Sequence, residues 1–324
     1  MRQLLEPATT WLMEAKHARR GLAVTRIVLG LIVWTQLLVN LPDRHYTWGD
    51  GTAWSEPIRS LDAWPSFLGA FVAADGRLFD LLYLATIASG FLLMLGWHTR
   101  TMTAATLLLW LSMYTTNPFV GSGGDAVLRM VLLYLCFTES GAFWSLDARR
   151  GRPTPRLPEW FGTTLHNLAV VLIIHQVVIV YVASALWKVQ SPVWLDGTAV
   201  YFPLQVEAYS PWRDLLHPIT SAEPIVLAAT WVSVAIQLMF PVLLLYRPLR
   251  AIALVMITGM HLSIGLAMGI MYFSLVMIAV DMMLVSDVTW RRIEHEVRRR
   301  VGRDRWNDGD ERLVRSATEP VRGD

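Results

Sequence analysis

Lys188 is the residue whose type and position most invite a chemical role. It is one of two lysines among 28 Lys and Arg residues, and it ends a long apolar run. An amine at the edge of a hydrocarbon core is costly unless it reaches the interface, pairs or takes part in a reaction. Lysine, unlike arginine, can lose its proton when it is desolvated. Lys188 is therefore a candidate general base.

Two more polar residues precede Lys188 on the same predicted helix. Tyr181 lies seven residues earlier, which is two turns, so the two side chains share a face. His175 lies six residues before Tyr181 and is offset from it by roughly 120° around the helix axis. We expect His175 to face the bundle, because a polar group at membrane depth needs a partner. The three residues predict a polar track, with a packing role for His175 left open.

Other predicted spans carry charged residues as well. Asp125 and Arg129 lie four residues apart, a spacing that predicts an ion pair on one helix face, either as a structural cap or as part of a site. His261 and Asp281 lie in the last two predicted spans and can pair to form a proton-responsive site, or Asp281 meets only Arg250 or Arg291 near the cytoplasmic end. No metal-ligand spacing, phosphate loop or serine-nucleophile motif occurs, so no metal is predicted.

The composition places these residues in a membrane protein. The chain has 324 residues, of which 54% are hydrophobic and 17% charged. Soluble domains are closer to a quarter charged, and a net charge of +2 gives no reason to expect nucleic acid as a partner. Cys136, the only cysteine, excludes an internal disulfide. We predict an all-α polytopic transmembrane bundle of about eight spans: Gly21–Leu41, Leu78–Trp97, Met102–Val120, Ala126–Trp144, Thr163–Trp187, Pro224–Tyr246, Leu249–Met268 and Met271–Val285.

The distribution of basic residues predicts the orientation and the domain plan. Lysine and arginine cluster before the first span, after the fourth and sixth, and beyond the last. By the positive-inside rule both termini are cytoplasmic, in the cell membrane. We expect a cytoplasmic amphipathic segment over 1–20, a transmembrane domain over 21–287, and a basic, partly disordered cytoplasmic tail over 288–324 that contacts anionic lipid.

A short motif occurs in two of the predicted outer loops. The copies are Trp48-Gly-Asp50-Gly51-Thr52-Ala53 and Trp194-Leu-Asp196-Gly197-Thr198-Ala199. Asp-Gly forms turns, and tryptophan suits the membrane interface. The pattern is consistent with two similar interfacial turns or with a diverged repeat of four spans plus four.

Several of these elements together resemble a known family. They are Arg26-Ile-Val-Leu-Gly, the stretch from Gly124-Asp125 to Phe143-Trp144-Ser145-Leu146-Asp147, Tyr181 through Tyr201, and His261-Leu-Ser-Ile-Gly through Tyr272-Phe273-Ser274. The chain resembles the horizontally transferred transmembrane domain (HTTM) family, which shares its membrane region with vitamin K-dependent gamma-carboxylase.

The resemblance implies a function for Lys188. It would be the base that deprotonates a hydroquinone, with Trp194, Asp196 and Gly197 as its motif partners in the cofactor site. From the polar residues above we add Tyr181 and His175 as catalytic neighbours, and Asp125, Arg129 and His261 as further contacts of the cofactor, a menaquinone or a vitamin K-like quinone. The activity would be that of a quinol-linked oxidoreductase or a carboxylase-like lyase, and a small peptide or a protein is a further partner that it allows. No histidine lies between Thr101 and Thr164, where the carboxylase has a functional one, and the chain ends in a short tail rather than a lumenal domain. We therefore expect proton abstraction rather than peptide carboxylation.

Two other functions are compatible with the same residues. A non-catalytic membrane protein for export, maturation or immunity to a small peptide would let Lys188 snorkel or pair with Asp196 or Glu207. A transporter is a third alternative, but no span contains a central Pro-Gly pair of the kind that marks midplane sites.

Overall fold

The computed structural model describes residues 9–50, 66–151 and 158–300, and within those ranges every regular element is helical. Nine helices in the described ranges have 11 residues or more. In chain order they are α1 (Arg19–Val39), α2 (Gly76–Leu95), α3 (Thr99–Thr116), α4 (Gly123–Leu135), α5 (Glu159–Lys188), α6 (Glu223–Leu245), α7 (Arg247–Ala267), α8 (Met271–Asp281) and α9 (Asp287–Arg300). Shorter helices lie in the connections: Arg44–Trp48, Leu146–Arg150, Pro192–Leu195 and Arg213–Thr220.

The helix lengths support a multi-pass membrane protein. Five helices, α1, α2, α5, α6 and α7, are long and apolar enough to cross a membrane. The number rises to six if α8, its extension to Leu284 and α9, which are bent by 106°, count as one span. The predicted count of about eight is not confirmed, because α4 and α8 have only 13 and 11 residues and α3 is rich in threonine. The orientation of the termini stays a prediction.

Small residues bring α1 and α2 into close contact. A Cβ atom added to Gly30 would lie 2.5 Å from the backbone nitrogen of Met94, and one added to Gly90 would lie 2.8 Å from Cγ1 of Val33. Backbones that approach this closely are typical of membrane helix pairs, in which packing replaces the hydrophobic effect. The α1–α2 pair is therefore tightly packed, and α1 also packs against α4 and α8.

The bundle has two ends, named here after a basic residue in each. At the Arg26 end, where α1, α3, α5 and α7 begin, the backbone nitrogen of Arg20 donates to Asp287 at 2.9 Å and that of His17 donates to Asn167 at 3.1 Å. Lys16 forms an ion pair with Glu139 there. At the opposite Lys188 end, the same four helices finish. The contacts tie the start of α1 to the starts of α5 and α9.

Arg26 itself explains why the fourth predicted span is shorter than expected. Its fully buried guanidinium donates to the carbonyl oxygens of Leu93 and Met94 at 2.6 and 2.8 Å, and to that of Trp144 at 2.8 Å. It also donates to the carbonyl of Ser140 at 3.2 Å. The chain after Leu135 folds back around this side chain instead of continuing as a helix to residue 144, as the apolar pattern predicted.

The ends of the predicted domain plan lie partly outside the described residues. Residues 9–13 of the N-terminal segment are helical, and residues 1–8 are not described. In the tail, α9 carries the charged side chains as pairs on its own surface, with Arg298 and Glu294 2.7 Å apart and Arg300 and Glu296 2.7 Å apart. Residues 301–324 lie outside the described ranges, and so do residues 51–53 of the first Asp-Gly loop. The repeat and the domain boundaries stay predictions.

Candidate functional site

The amine of Lys188 sits between an amide and an indole ring at the end of α5. Its Nζ donates to Oε1 of Gln237 at 2.7 Å and lies 4.7 Å from the centre of the Trp194 ring. The side chain is half-buried. Lys188 forms no ion pair with Asp196 or Glu207, both of which are described and exposed. The partners of the amine are therefore neutral groups.

The loop after α5 holds Trp194 in place through a glycine. The helix Pro192–Leu195 begins with proline in its first turn and ends at Asp196, and Gly197 follows with φ of 76°. A Cβ atom on Gly197 would lie 2.2 Å from Cδ1 of Leu227 on α6. The positive φ favours glycine, and a Cβ at this position would push the Leu227 side chain aside. The Asp-Gly motif thus packs this loop against α6, with the Asp196 side chain exposed.

A second polar cluster lies deeper in the bundle, two turns back along α5. The hydroxyl of Tyr181 donates to Oδ2 of Asp281 at 2.7 Å and lies 3.1 Å from Nε2 of His261. Tyr181, His261 and Asp281 are 1%, 2% and 0% exposed. The predicted association of His261 with Asp281 is therefore indirect, with the Tyr181 hydroxyl as the bridge between them. We call these three residues the Tyr181 cluster.

Two helices connect the Lys188 environment to the Tyr181 cluster. Lys188 and Tyr181 share a face of α5, and seven residues of helix separate them by about 10 Å. On α6, Gln237 contacts Lys188, and Phe240, three residues later, packs edge-on against the Tyr181 ring with centroids 4.8 Å apart. Both groups therefore line the interface between α5 and α6.

The structure places Asp125 and Arg129 in a different region, where the predicted ion pair is not formed. The Asp125 carboxylate accepts from the backbone nitrogen and the hydroxyl of Ser122 at 2.6 and 2.9 Å, which closes a capping box at the start of α4. Arg129 instead donates to the backbone carbonyl of Asp125 at 3.2 Å and stacks over the Tyr114 ring at 3.7 Å. Asp125 lines a small cleft that includes Trp110.

His175 does not join either cluster. Its side chain is exposed on the outside of α5, so the expectation that it faces the bundle is wrong. The reason is geometric: the roughly 120° offset from Tyr181 carries it off the buried face, on which Ile173 and Val177 lie instead. A role for His175 in catalysis remains untested.

Sequence reasoning missed Gln237 as a member of the site. It is 5% exposed in the middle of a helix that is otherwise almost wholly apolar. An amide at membrane depth is itself a signal, since it needs a hydrogen-bond partner there. Among the described residues, no group of three His, Cys, Asp or Glu side chains is placed to hold a metal ion.

Comparison with known proteins gives a family match over most of the chain. The model of the HTTM domain matches residues 16–290. The uncharacterized protein YitO of Bacillus subtilis strain 168 is 25% identical over 280 residues, which cover 83% of this chain and 85% of YitO. No solved structure matches. The match covers α1 to α8 and therefore both polar clusters.

Proposed function

The chain belongs to the HTTM family of carboxylase-like membrane proteins, and we propose that it uses Lys188 as a general base toward a lipid-soluble aromatic alcohol such as a hydroquinone. The protein would act in the cell membrane, with lipids around the bundle. The proposal combines the family match with the environment of one amine at the Lys188 end.

The observation that carries the proposal is the neutral environment of Lys188. A lysine accepts a proton only while its amine is uncharged, and a carboxylate partner would hold a proton on it. Gln237 offers an amide oxygen at 2.7 Å, and no carboxylate lies within ion-pair distance of the amine in the described part of the chain. The Trp194 ring face then stabilises the ammonium group that forms, through a cation–π contact.

The residues around Lys188 are chemically suited to such a ligand. The amine is half-buried, and its neighbours Trp187 and Leu195 are 74% and 51% exposed, so an apolar molecule in the bilayer can approach it. A hydroquinone supplies an acidic aromatic hydroxyl. The lone pair of Nζ takes that proton and forms a new N–H bond, while the O–H bond breaks. Gln237 keeps the amine oriented before and after the transfer.

The chain offers a matched pair of lysines for the test. The protein is purified, placed in lipid nanodiscs and supplied with menaquinol, with dioxygen as the electron acceptor, and quinol oxidation is followed. We expect Lys188→Arg to lower the rate at least about 100-fold, since arginine cannot act as a base. Lys16→Arg, which keeps the ion pair with Glu139, should leave the rate unchanged.

The same assay separates catalysis from a purely structural lysine. If Lys188→Arg and Lys188→Ala both oxidise menaquinol at the unaltered rate, Lys188 is not the base. If the Lys188→Arg protein instead behaves like the wild type in every assay, the result favours the non-catalytic role in export, maturation or peptide immunity, in which only the charge matters.

A further inference from the structure

The Tyr181 cluster joins three helices through groups that can each carry a proton. Tyr181 lies on α5, His261 on α7 and Asp281 at the end of α8. All three side chains are at least 98% buried. Polar groups buried this deeply in a membrane bundle are expected only where they have a structural or chemical use.

The direction of the Tyr181–Asp281 hydrogen bond fixes that of the other hydrogen bond in the cluster. A phenol has one O–H, and Tyr181 uses it to donate to Oδ2 of Asp281. The contact between Tyr181 and Nε2 of His261 at 3.1 Å then requires the imidazole to be the donor. A neutral His261 therefore carries its proton on Nε2. This leaves Nδ1 of His261 and Oδ1 of Asp281, both buried without a partner in the described structure.

Among the described residues, Asp281 forms no ion pair with a cation. Four basic side chains of the surrounding helices have other partners. Lys188 binds Gln237, Arg26 binds backbone carbonyls, Arg129 stacks on Tyr114, and Arg250 donates to the carbonyl of Leu244 at 2.9 Å. With a neutral tyrosine and a neutral histidine, an ionised Asp281 would leave one buried negative charge without an ion-pair partner, which is strongly unfavourable inside an apolar bundle.

We propose that the Tyr181 cluster is a buried proton-binding site in which Asp281 holds the bound proton on Oδ1. That oxygen is the one that Tyr181 leaves free. The bound proton makes the whole cluster neutral without separating charge between His261 and Asp281. The hydroxyl of Tyr181 then positions the carboxyl group by its bond to Oδ2. The site takes a proton as its ligand, and it does not depend on the reaction proposed for Lys188.

Infrared difference spectroscopy of the full chain in nanodiscs tests the site directly. At neutral pH the wild-type protein should show the C=O stretch of one protonated carboxyl group, and the isosteric Asp281→Asn variant should lose that band completely. Tyr181→Phe should keep the band but move it to higher frequency, because the hydrogen bond to Oδ2 is gone. Asp214→Asn, at an exposed position on the helix Arg213–Thr220, should leave the band unchanged.

Either of two results would overturn the proposal. One is a wild-type spectrum at neutral pH without a protonated carboxyl band. The other is a band that survives in Asp281→Asn. Both results are independent of menaquinol oxidation, so the site can fail while the Lys188 proposal stands, and the reverse also holds.

Discussion

Arg26 and Lys188 are both basic side chains set into apolar helices, but their surroundings differ in almost every respect. Arg26 lies early in α1 and is fully buried, whereas Lys188 ends α5 and is half-buried. Arg26 donates to the carbonyls of five residues, while Lys188 has one hydrogen bond and one ring face. Arg26 therefore uses every nitrogen of its guanidinium, whereas Lys188 has unused hydrogen-bonding capacity.

The contrast separates a structural base from a chemical one. The planar guanidinium of Arg26 fits several carbonyls at once and cannot readily give up its proton, so it suits the task of holding α2 against the chain after α4. The amine of Lys188 has one hydrogen-bond acceptor, Gln237, and in its uncharged form keeps its lone pair free to take a proton from a ligand. Substitution at the Arg26 end should therefore change the free energy of unfolding, and substitution of Lys188 should change activity.

The largest effect on stability is expected from Arg26→Met. The substitution leaves the carbonyls of Ser140 and Trp144 without their donor inside the bundle. It thereby removes the hydrogen bonds that hold the chain after Leu135 in place. We expect a loss of about 3–5 kcal/mol in the free energy of unfolding. SDS-induced unfolding of the purified protein in mixed micelles measures it.

Lys188→Met is the matched comparison for Arg26→Met. It leaves one amide oxygen, that of Gln237, without its donor, so its cost should be about 1–2 kcal/mol, below that of Arg26→Met. Equal losses from the two variants would mean that the distinction between the two ends has no energetic basis.

The next largest effect on the free energy of unfolding is expected from a glycine at the Arg26 end. Gly96 ends α2 with φ of 68°, and an added Cβ would lie 2.3 Å from Cβ of Ser145 and 2.7 Å from Nη1 of Arg26. Gly96→Ala should cost about 2–3 kcal/mol from backbone strain and overpacking. Gly76→Ala, at the start of the same helix with open space around it, is the control.

SDS-induced unfolding again measures the free energy of unfolding of both variants. We expect Gly76→Ala to be neutral or slightly stabilising, because alanine restricts the unfolded chain. If Gly96→Ala were as stable as Gly76→Ala, the chain around Arg26 would have room to relax, and the end would not be rigidly packed.

The sequence predicted the positions of the helices well, but it predicted their lengths and the partners of their polar side chains less well. Eight apolar segments indicated eight helices, and each of them contains one. The pattern could not show that the fourth would stop at Leu135, because Arg26 lies about 110 residues away along the chain and its carbonyl partners have no sequence signature. A hydrophobic run predicts burial, but it does not predict what a distant side chain will bind.

The candidate site was also predicted only in part. The seven-residue spacing predicted that Tyr181 and Lys188 share a face, and both lie at the interface with α6. The predicted pair of His261 and Asp281 does not form directly, because each of them contacts the Tyr181 hydroxyl instead. Asp125 and Arg129 have the spacing of an ion pair, yet Ser122 and Tyr114 offer better local partners. Competition among partners is decided in three dimensions, so it is invisible in spacing alone.

The smallest effect on stability is expected from a change at Asp147, which lies at the Arg26 end. Its carboxylate accepts from the backbone nitrogens of His98 and Thr99 at 2.9 and 2.7 Å and from the Thr99 hydroxyl at 2.7 Å. Burial opposes ionisation, but the bonds from Thr99 and His98 outweigh it and hold the pKa of this carboxyl below its ordinary value of 3.8. The Trp144-Ser145-Leu146-Asp147 element that contributed to the family resemblance is therefore a clamp on the start of α3.

The sign of the pH dependence follows from the lowered pKa of Asp147. Its contribution to stability is complete above the unfolded-state pKa and is lost as the pH falls through the folded-state pKa, so the loss belongs to the range below about pH 4. Asp147→Asn should unfold more easily at neutral pH by about 1 kcal/mol, the usual value of a helix cap. Thermal unfolding in detergent from about pH 6 to pH 3 should show wild type and variant converging in acid. A constant difference between them across that range would mean that the carboxylate charge contributes nothing, and that the Arg26 end is held by Arg26 and packing alone.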